Sequence, residues 1–163
     1  MLIGIIADTH DNLGAIDAAI EIFDERGVEL VVHAGDLISP FAAAKFAGYG
    51  SLFKTVFGNN DGERRGLIKT IQAFGGEIDD FIEFDVDNRK FAVYHGTVAG
   101  VLNSIVESDK YDVVACGHSH SPEIKSVGKT LFINPGEACG YLSGRKTLVI
   151  LDTARMDAET LEF

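Results

Sequence analysis

Residues 2–11, LIGIIADTHD, give the clearest indication of the fold class. Its first six residues form a continuous apolar run, which predicts a strand buried on both faces that ends at Asp8. An amphipathic helix is predicted directly afterwards, over residues 12–26, because apolar residues recur there at spacings of three and four and Gly27 suits a left-handed cap. A buried strand that leads straight into a helix is typical of a parallel α/β sheet.

Two further strand and helix units extend this pattern. Residues 28–34 and 52–58 predict the second and third strands. A short helix is predicted from Pro40, and a longer helix is predicted over residues 63–74 with Asp61 as its cap. Strands that alternate with helices in this order imply a parallel sheet with right-handed crossovers.

The pattern changes after residue 76. Residues 77–96 alternate between apolar and polar positions in two runs joined at Asp87 and Asn88, which predicts an antiparallel hairpin. A helix, a strand, a second hairpin turning near Gly128 and two closing strands are predicted over residues 98–106, 111–117, 123–136, 145–153 and 157–163. We therefore expect a single domain over residues 1–163 that contains two sheets.

Composition and charge narrow the functions to be considered. The chain has 163 residues, 46% of them hydrophobic, and a formal net charge of -11. An acidic surface repels phosphate backbones, so we expect no extended nucleic-acid binding. The sequence shows no basic signal region and no apolar run of membrane-spanning length, and Cys116 and Cys139 form no disulfide framework. These features predict a cytoplasmic protein with two buried cysteines and no membrane contact.

Polar residues follow five of the predicted strands, at the point where each strand ends. The carboxyl ends of parallel strands converge with their adjoining loops at one edge of a sheet, where ligands bind. Four of the chain's five histidines belong to this set. Its members are Asp8, Thr9, His10, Gly35, Asp36, residues 58–61, His95, Gly96 and residues 117–120.

Each of these motifs taken alone has an ordinary structural explanation. Asp8 and Asp36 suit turns or caps, and a lone histidine such as His95 is often a satisfied core side chain. The GHSH run at residues 117–120 is harder to explain in this way, because two imidazoles two residues apart can face one centre if the backbone bends at Gly117. The joint occurrence of the motifs favours a functional site.

The donor set indicates divalent metal ions. Imidazole, carboxylate and amide groups together suit Mn, Fe, Ni, Co or Zn, whereas Mg and Ca prefer oxygen ligands alone. Seven candidate ligands are too many for one tetrahedral ion but suit two adjacent ions that share a carboxylate, an arrangement that clamps a phosphoryl group. Spacing alone does not show which ligand binds which ion.

The order of the motifs resembles that of the calcineurin-like metallophosphoesterases, whose pattern is D-x-H, G-D, G-N-H-D/E, an isolated H and G-H-x-H. The matches run from Asp8 to His120 in the family's order, and the chain length and the INPGE segment at residues 133–137 look like its small prokaryotic phosphodiesterase branch. The resemblance implies an α/β fold, a four-layer α/β/β/α sandwich of two mixed β-sheets flanked by helices.

The resemblance also implies a role for each ligand. The first ion would be bound by Asp8, His10 and His120, the second by Asn59, His95 and His118, with Asp36 bridging the two. We expect two divalent ions per chain, Mn²⁺ or Ni²⁺ before Fe, Co, Zn or Mg. The implied reaction is attack on phosphorus by a metal-bound hydroxide, with no covalent enzyme intermediate.

Asn60 is the position at which the sequence departs from the family pattern. The family usually has a histidine there that neutralises or protonates the leaving group, whereas Asn can only donate an N–H bond to a phosphoryl oxygen. We expect Asn60 to act in catalysis and substrate binding, in an enzyme that depends on the stability of its leaving group. Arg64 is a second candidate substrate contact, with solvated surface as the alternative. His33, inside a strand, is expected to support the site or the core rather than to bind metal.

The sequence therefore predicts a metal-dependent phosphodiesterase for a small phosphoester, and a homo-oligomer is compatible with it. A diesterase is preferred to a monoesterase because the sequence indicates no cationic pocket for a dianionic phosphate. The alternative is a protein-interaction scaffold of the same fold with a degraded metal site. The retromer subunit is such a scaffold and resembles the enzymes of this family. All seven ligand positions keep ligating residues, which favours the enzyme.

Overall fold

The computed structural model describes residues 1–163, which form eleven strands and four α-helices. The strands are β1 (Leu2–Ile6), β2 (Leu30–His33), β3 (Phe53–Val56), β4 (Glu77–Asp79), β5 (Ile82–Val86), β6 (Arg89–Val93), β7 (Val113–Ala115), β8 (Glu123–Val127), β9 (Thr130–Asn134), β10 (Thr147–Asp152) and β11 (Asp157–Glu162). The helices are α1 (Leu13–Arg26), α2 (Pro40–Ala44), α3 (Arg64–Ala73) and α4 (Ala99–Val106), and a 3-10 segment covers Lys45–Leu52. None of the helices combines the length and the apolar character that a membrane crossing requires.

The strands form two mixed sheets. The six-stranded sheet has the order β11-β10-β1-β2-β3-β4, in which β1 to β4 are parallel and β10 and β11 are antiparallel additions. The five-stranded sheet has the order β5-β6-β7-β9-β8, with β6, β7 and β9 parallel and an antiparallel strand at each edge. Parallel pairing makes the loops after β1, β2 and β3, and those after β6 and β7, leave their sheets at a common edge.

The two sheets pack face to face through their apolar side chains. Ile5 of the first sheet and Val93 of the second are fully buried in one shared cluster. Helices α1 to α3 cover the outer face of the first sheet, where Phe23 is fully buried. Helix α4 covers the outer face of the second sheet, where Val106 packs in one cluster with Val114. The predicted four-layer α/β/β/α sandwich is confirmed.

The ends of α1 and α2 follow from their capping residues. The Asn12 side chain accepts a hydrogen bond from the Ala15 N–H, and α1 ends at Gly27 with a left-handed φ of 70°. The Ser39 hydroxyl accepts from an N–H of the first turn of α2, and Pro40 occupies that turn. These caps place the polar residues that follow β1 and β2 at fixed positions.

The structure corrects the extent of the first hairpin. Strands β5 and β6 turn at Asp87 and Asn88, whose positive φ values of 49° and 58° suit a tight hairpin turn. The first run of this hairpin does not begin at residue 77, however, because Glu77–Asp79 is β4, which pairs in parallel with β3 in the other sheet. An alternating pattern specifies extended backbone but not the partner strand, so this prediction was wrong at its start.

Candidate metal centre

All seven predicted ligand residues meet at the carboxyl ends of β1, β2, β3, β6 and β7. Each ligand has a side-chain donor atom 2.9–3.8 Å from a donor atom of another ligand. The set consists of Asp8, His10, Asp36, Asn59, His95, His118 and His120. Chain positions more than a hundred residues apart thus supply one cluster of oxygen and nitrogen donors.

Left-handed backbone conformations direct five of these side chains. Positive φ is uncommon outside glycine and clusters at functional sites, where the surrounding structure holds it. The five residues and their φ values are Asp8 (52°), His10 (42°), Asp36 (59°), His118 (67°) and His120 (57°). The strand ends are therefore turned so that several side chains of one loop face a common centre.

Two motif glycines let ligand side chains approach the backbone. A Cβ atom at Gly35 would stand 2.5 Å from His95 Nδ1, and one at Gly58 would overlap Asp36 Oδ1. Glycine is therefore required in the GD and GN motifs because a ligand occupies the space of the missing side chain.

Three of the candidate ligands, here called the Asp8 group, are Asp8, His10 and His120. Asp8 Oδ1 lies 3.4 Å from His120 Nε2 and 3.8 Å from His10 Nε2, which are separations too long for good hydrogen bonds. Asp8 Oδ1 and His10 Nε2 are buried and have no hydrogen-bond partner. Such unpaired polar atoms are costly in a protein interior, so their convergence indicates a site for a cation.

Three others, here called the Asn59 group, are Asn59, His95 and His118. Asn59 Oδ1 lies 3.0 Å from His95 Nε2 and 2.9 Å from His118 Nδ1. The other nitrogen of His95, Nδ1, lies 2.7 Å from the Ala34 carbonyl oxygen, to which it donates. A neutral imidazole has one N–H, so His95 Nε2 and Asn59 Oδ1 face each other as two acceptors unless a proton or a metal ion lies between them.

Asp36 lies between the two groups. Its Oδ2 atom is 3.5 Å from His10 Nε2 of one group and 3.5 Å from His95 Nε2 of the other. The backbone N–H of Asn60 donates to Asp36 Oδ1 at 2.8 Å, and the Asn60 side-chain amide donates to Oδ2 at 2.7 Å. Burial of Asp36 favours the neutral acid, but the contacts with His95 and Asn60 outweigh it and hold the pKa well below its usual value.

The donor spacing fits metal coordination. Donor atoms bound at about 2.0–2.2 Å to one ion lie about 3.0–3.5 Å apart in tetrahedral or octahedral arrangements. Most separations in the cluster fall near this range. The two unpaired atoms of the Asp8 group belong to the same cluster. The donor set therefore fits divalent metal ions.

Glu137 ends a segment, residues 133–137, to which the sequence assigns no chemistry, yet the structure places it beside a candidate metal ligand. Its side chain is fully buried, and its Oε2 atom accepts from His120 Nδ1 at 2.9 Å. The carboxylate also accepts from the N–H groups of Leu142 and Ser143 and from the Cys139 thiol. Burial favours the neutral acid, but these bonds hold the pKa of Glu137 well below its usual value. A proton fixed on His120 Nδ1 leaves Nε2 free to face Asp8.

The structure places the remaining candidates around the cluster. Asn60 lines a cavity beside the Asp8 group. Arg64 donates to Asp80 at 2.6 Å and lies 4.2 Å from the centre of the Phe57 ring, outside that cavity. A role for Arg64 in substrate binding stays a prediction.

His33 and the two cysteines are buried beside or behind the ligands. His33 Nε2 lies 3.0 Å from the Thr9 hydroxyl, and burial lowers the pKa of this imidazole to about 3. Both cysteines, Cys116 and Cys139, are free and buried, as the sequence predicts. Cys139 nevertheless lies next to His10 and His120, a proximity that its distance along the chain concealed.

Asp61 has a different role from the predicted one. Helix α3 has Glu63 at its N-cap position and no side-chain cap, so the prediction that Asp61 caps it was wrong. The Asp61 carboxylate instead accepts from the N–H groups of Asp36, Ile38 and Gly58. It joins the loops after β2 and β3, which the local sequence pattern could not indicate.

Comparisons with known proteins agree with this geometry. The model of the calcineurin-like phosphoesterase superfamily domain matches residues 1–156. The chain is 44% identical over 159 residues to phosphodiesterase MJ0936 of Methanocaldococcus jannaschii, covering 96% of each sequence. The solved structure of an archaeal phosphodiesterase superposes with a TM-score of 0.95 at 42% identity over 100% of both chains. Vps29 of Chaetomium thermophilum, with a TM-score of 0.75 and 14% identity over 100% of this chain and 94% of its own, shares the fold. The chain belongs to the calcineurin-like phosphoesterase superfamily.

Proposed function

We propose that the chain is a dinuclear metal-dependent phosphodiesterase that acts on a small phosphoester. The single observation that carries the dinuclear assignment is the position of Asp36, whose Oδ2 lies 3.5 Å from a nitrogen of each ligand group. The superfamily membership supports phosphoester hydrolysis, and the identity of 44% to an archaeal phosphodiesterase over nearly the whole chain supports a diester substrate.

The seven candidate ligands fall into two groups around a shared carboxylate. The Asp8 group would bind one ion, the Asn59 group the other, and Asp36 would bridge them. When bound, divalent ions supply positive charge to the phosphoryl oxygens and lower the pKa of water toward neutrality. Mn²⁺ and Ni²⁺ are proposed first because four imidazoles contribute to the donor set.

Asn60 is the side chain of this chain best placed to meet the substrate beside the ions. One N–H of its amide donates to Asp36, and the amide carries a second N–H that can donate to a phosphoryl oxygen. Because the amide has no acidic proton to give, the leaving group departs as an anion. The reaction should therefore be faster for diesters whose leaving group is a stable phenolate.

The scaffold alternative is not favoured. A scaffold has no need to bring seven donors together, or to keep the buried atoms Asp8 Oδ1 and His10 Nε2 without partners. The likeness to Vps29 at 14% identity extends to the fold alone.

Metal content and substrate preference test the proposal together. We expect about two ions per chain after loading with Mn²⁺ or Ni²⁺, and faster hydrolysis of bis(4-nitrophenyl) phosphate than of 4-nitrophenyl phosphate or a cyclic nucleotide. Substoichiometric metal together with no turnover of any of these compounds, with Mn²⁺, Ni²⁺ or Mg²⁺ added, would contradict it.

A further inference from the structure

A cavity of about 260 Å³ opens beside the Asp8 group. Its lining combines two metal-ligand candidates and Asn60 with a thiol and two large side chains. The six lining residues are His10, Asn60, His120, Cys139, Tyr141 and Leu142. Tyr141 is 63% exposed and Leu142 is 76% exposed, although both border the candidate metal centre. Large apolar side chains left in water next to a polar cluster indicate a surface that binds something.

The wall formed by Tyr141 and Leu142 has a fixed position relative to the metal ligands. The Leu142 N–H donates to Glu137 Oε1 at 3.0 Å, and the same carboxylate accepts from His120 Nδ1. At the start of this segment, the Asn12 amide donates to the Cys139 carbonyl oxygen at 3.0 Å. One buried carboxylate therefore holds both the backbone of the wall and the candidate metal ligand His120, which contributes to the pre-organisation that a binding site needs.

We propose that Tyr141 and Leu142 bind a planar aromatic or heteroaromatic ester group of the substrate. The proposal rests on the proposed function, because a phosphoryl group placed beside the Asp8 group and Asn60 would have this cavity next to it for its organic substituent. The cavity is smaller than the roughly 300–1,000 Å³ of pockets for drug-sized ligands, so it suits a phosphoryl group and one small ring rather than a long chain. The phenol ring of Tyr141 offers a stacking face, and Leu142 adds apolar contact.

Binding of two phosphonates to the Mn²⁺-loaded protein tests the wall without relying on turnover. Phenylphosphonate and methylphosphonate carry similar anionic heads and differ in the ring. Calorimetric titration should give an affinity about five- to tenfold higher for phenylphosphonate, since aromatic stacking is worth this factor. Tyr141→Ala and Leu142→Ala should each reduce that preference to about twofold or less and leave the affinity for methylphosphonate unchanged.

Leu52→Ala is the matched control. Leu52 is 43% exposed and precedes β3, at the opposite end of that strand from the ligands, so this variant should keep the full preference for the ring. Equal affinity of the wild-type protein for both phosphonates, or an undiminished preference in Tyr141→Ala, would overturn the proposal. So would a dimer that becomes monomeric in Tyr141→Ala, because a second copy of the chain would then cover the wall.

Hydrolysis of bis(4-nitrophenyl) phosphate, measured in parallel, separates the two proposals. Turnover with no preference between the phosphonates refutes the aromatic wall alone. Absence of both bound Mn²⁺ and turnover refutes the proposed function, and the wall with it.

Discussion

The Asp8 group and the Asn59 group contain similar donors but are held together in different ways. The donors of the Asn59 group lie close together, because one amide oxygen is 2.9–3.0 Å from both imidazoles, and His95 is fixed by its bond to the Ala34 backbone carbonyl. The Asp8 group has separations of 3.4–3.8 Å between its donors, and two of its buried atoms have no partner. Its geometry comes from outside, through the contact of His120 with Glu137.

The two halves of the centre therefore depend on different parts of the chain. In the Asn59 group, His95 is oriented by a backbone carbonyl oxygen, that of Ala34, rather than by a side chain outside the group. The Asp8 group depends on a segment near residue 137 that contains no ligand. Changes at the shared carboxylate should affect both halves, and changes at Glu137 only one.

The largest effect is expected from Asp36→Asn, which removes the charge shared by the two groups. Loss of this carboxylate should lower the occupancy of both ion positions and reduce hydrolysis of bis(4-nitrophenyl) phosphate by about 10³-fold or more, because each ion contributes several kcal/mol. Metal content per chain and turnover are measured on the same preparation.

His10→Ala is the companion variant, which separates the loss of one ion from the loss of both. It belongs to one group only, so it should lose about one ion per chain and keep the other. If Asp36→Asn retained one tightly bound ion while His10→Ala lost both, the assignment of Asp36 as the shared ligand would be wrong.

A smaller effect is expected from Asn60→His, which restores the residue usual in the superfamily. An imidazole can protonate the leaving group, and general acid catalysis contributes about 10²–10⁴-fold, so we expect a gain of about 10²-fold for diesters with alkoxide-like leaving groups. Rates across a series of substituted phenyl diesters should depend less steeply on the phenol pKa in the variant.

Asn60→Ala controls for the hydrogen bond that Asn60 gives to Asp36. It removes this bond without supplying an acid, so its dependence on the leaving group should match that of the wild-type protein. Identical slopes in all three proteins would show that position 60 has no part in leaving-group stabilisation.

Most of the donor cluster was predictable because its signals are local, and the rest was not because its contacts are long-range. Buried strands that end in Asp8, Asp36 and Asn59 indicate both a parallel sheet and the edge at which its ligands meet. Nothing near Glu137 in the sequence shows that its carboxylate contacts His120, because the contact arises when the loops after β7 and β9 pack together. Asp61 shows the same limit, since the acceptor of three loop N–H groups looks like a helix cap when only its neighbours are considered.

Glu137→Gln tests whether the Asp8 group is supported from outside. The oxygen of Gln can still accept from the loop N–H groups, but its NH₂ would face His120 Nδ1 and favour the tautomer with the proton on Nε2. That proton blocks the lone pair needed for metal, so affinity for one of the two Mn²⁺ ions should fall about 10- to 100-fold. Titration calorimetry resolves the two binding steps.

Glu159→Gln is the matched control, because Glu159 is an exposed residue of β11 that pairs with Arg26. It should leave both Mn²⁺ affinities unchanged. An equal loss at both steps in Glu137→Gln would show that the support from Glu137 is not confined to the Asp8 group. Glu137→Asp should recover part of the lost affinity, because it restores a carboxylate.

The last effect is on stability rather than on activity and concerns His33, a buried imidazole that faces the Thr9 hydroxyl next to Asp8 and His10 rather than a carboxylate. Its pKa is about 3 in the folded protein, because burial disfavours the charged ring, and about 6.5 in the unfolded chain. As the pH falls below about 6.5 the unfolded chain binds the proton first, so this group removes stability progressively until the pH approaches about 3, by about 1.4 kcal/mol per pH unit at most.

His33→Gln keeps a polar side chain but cannot titrate. Urea unfolding of the metal-free proteins between pH 7 and pH 4 should show a shallower loss of stability in the variant, by close to one proton, and parallel curves would mean that His33 is not held neutral beside the Asp8 group.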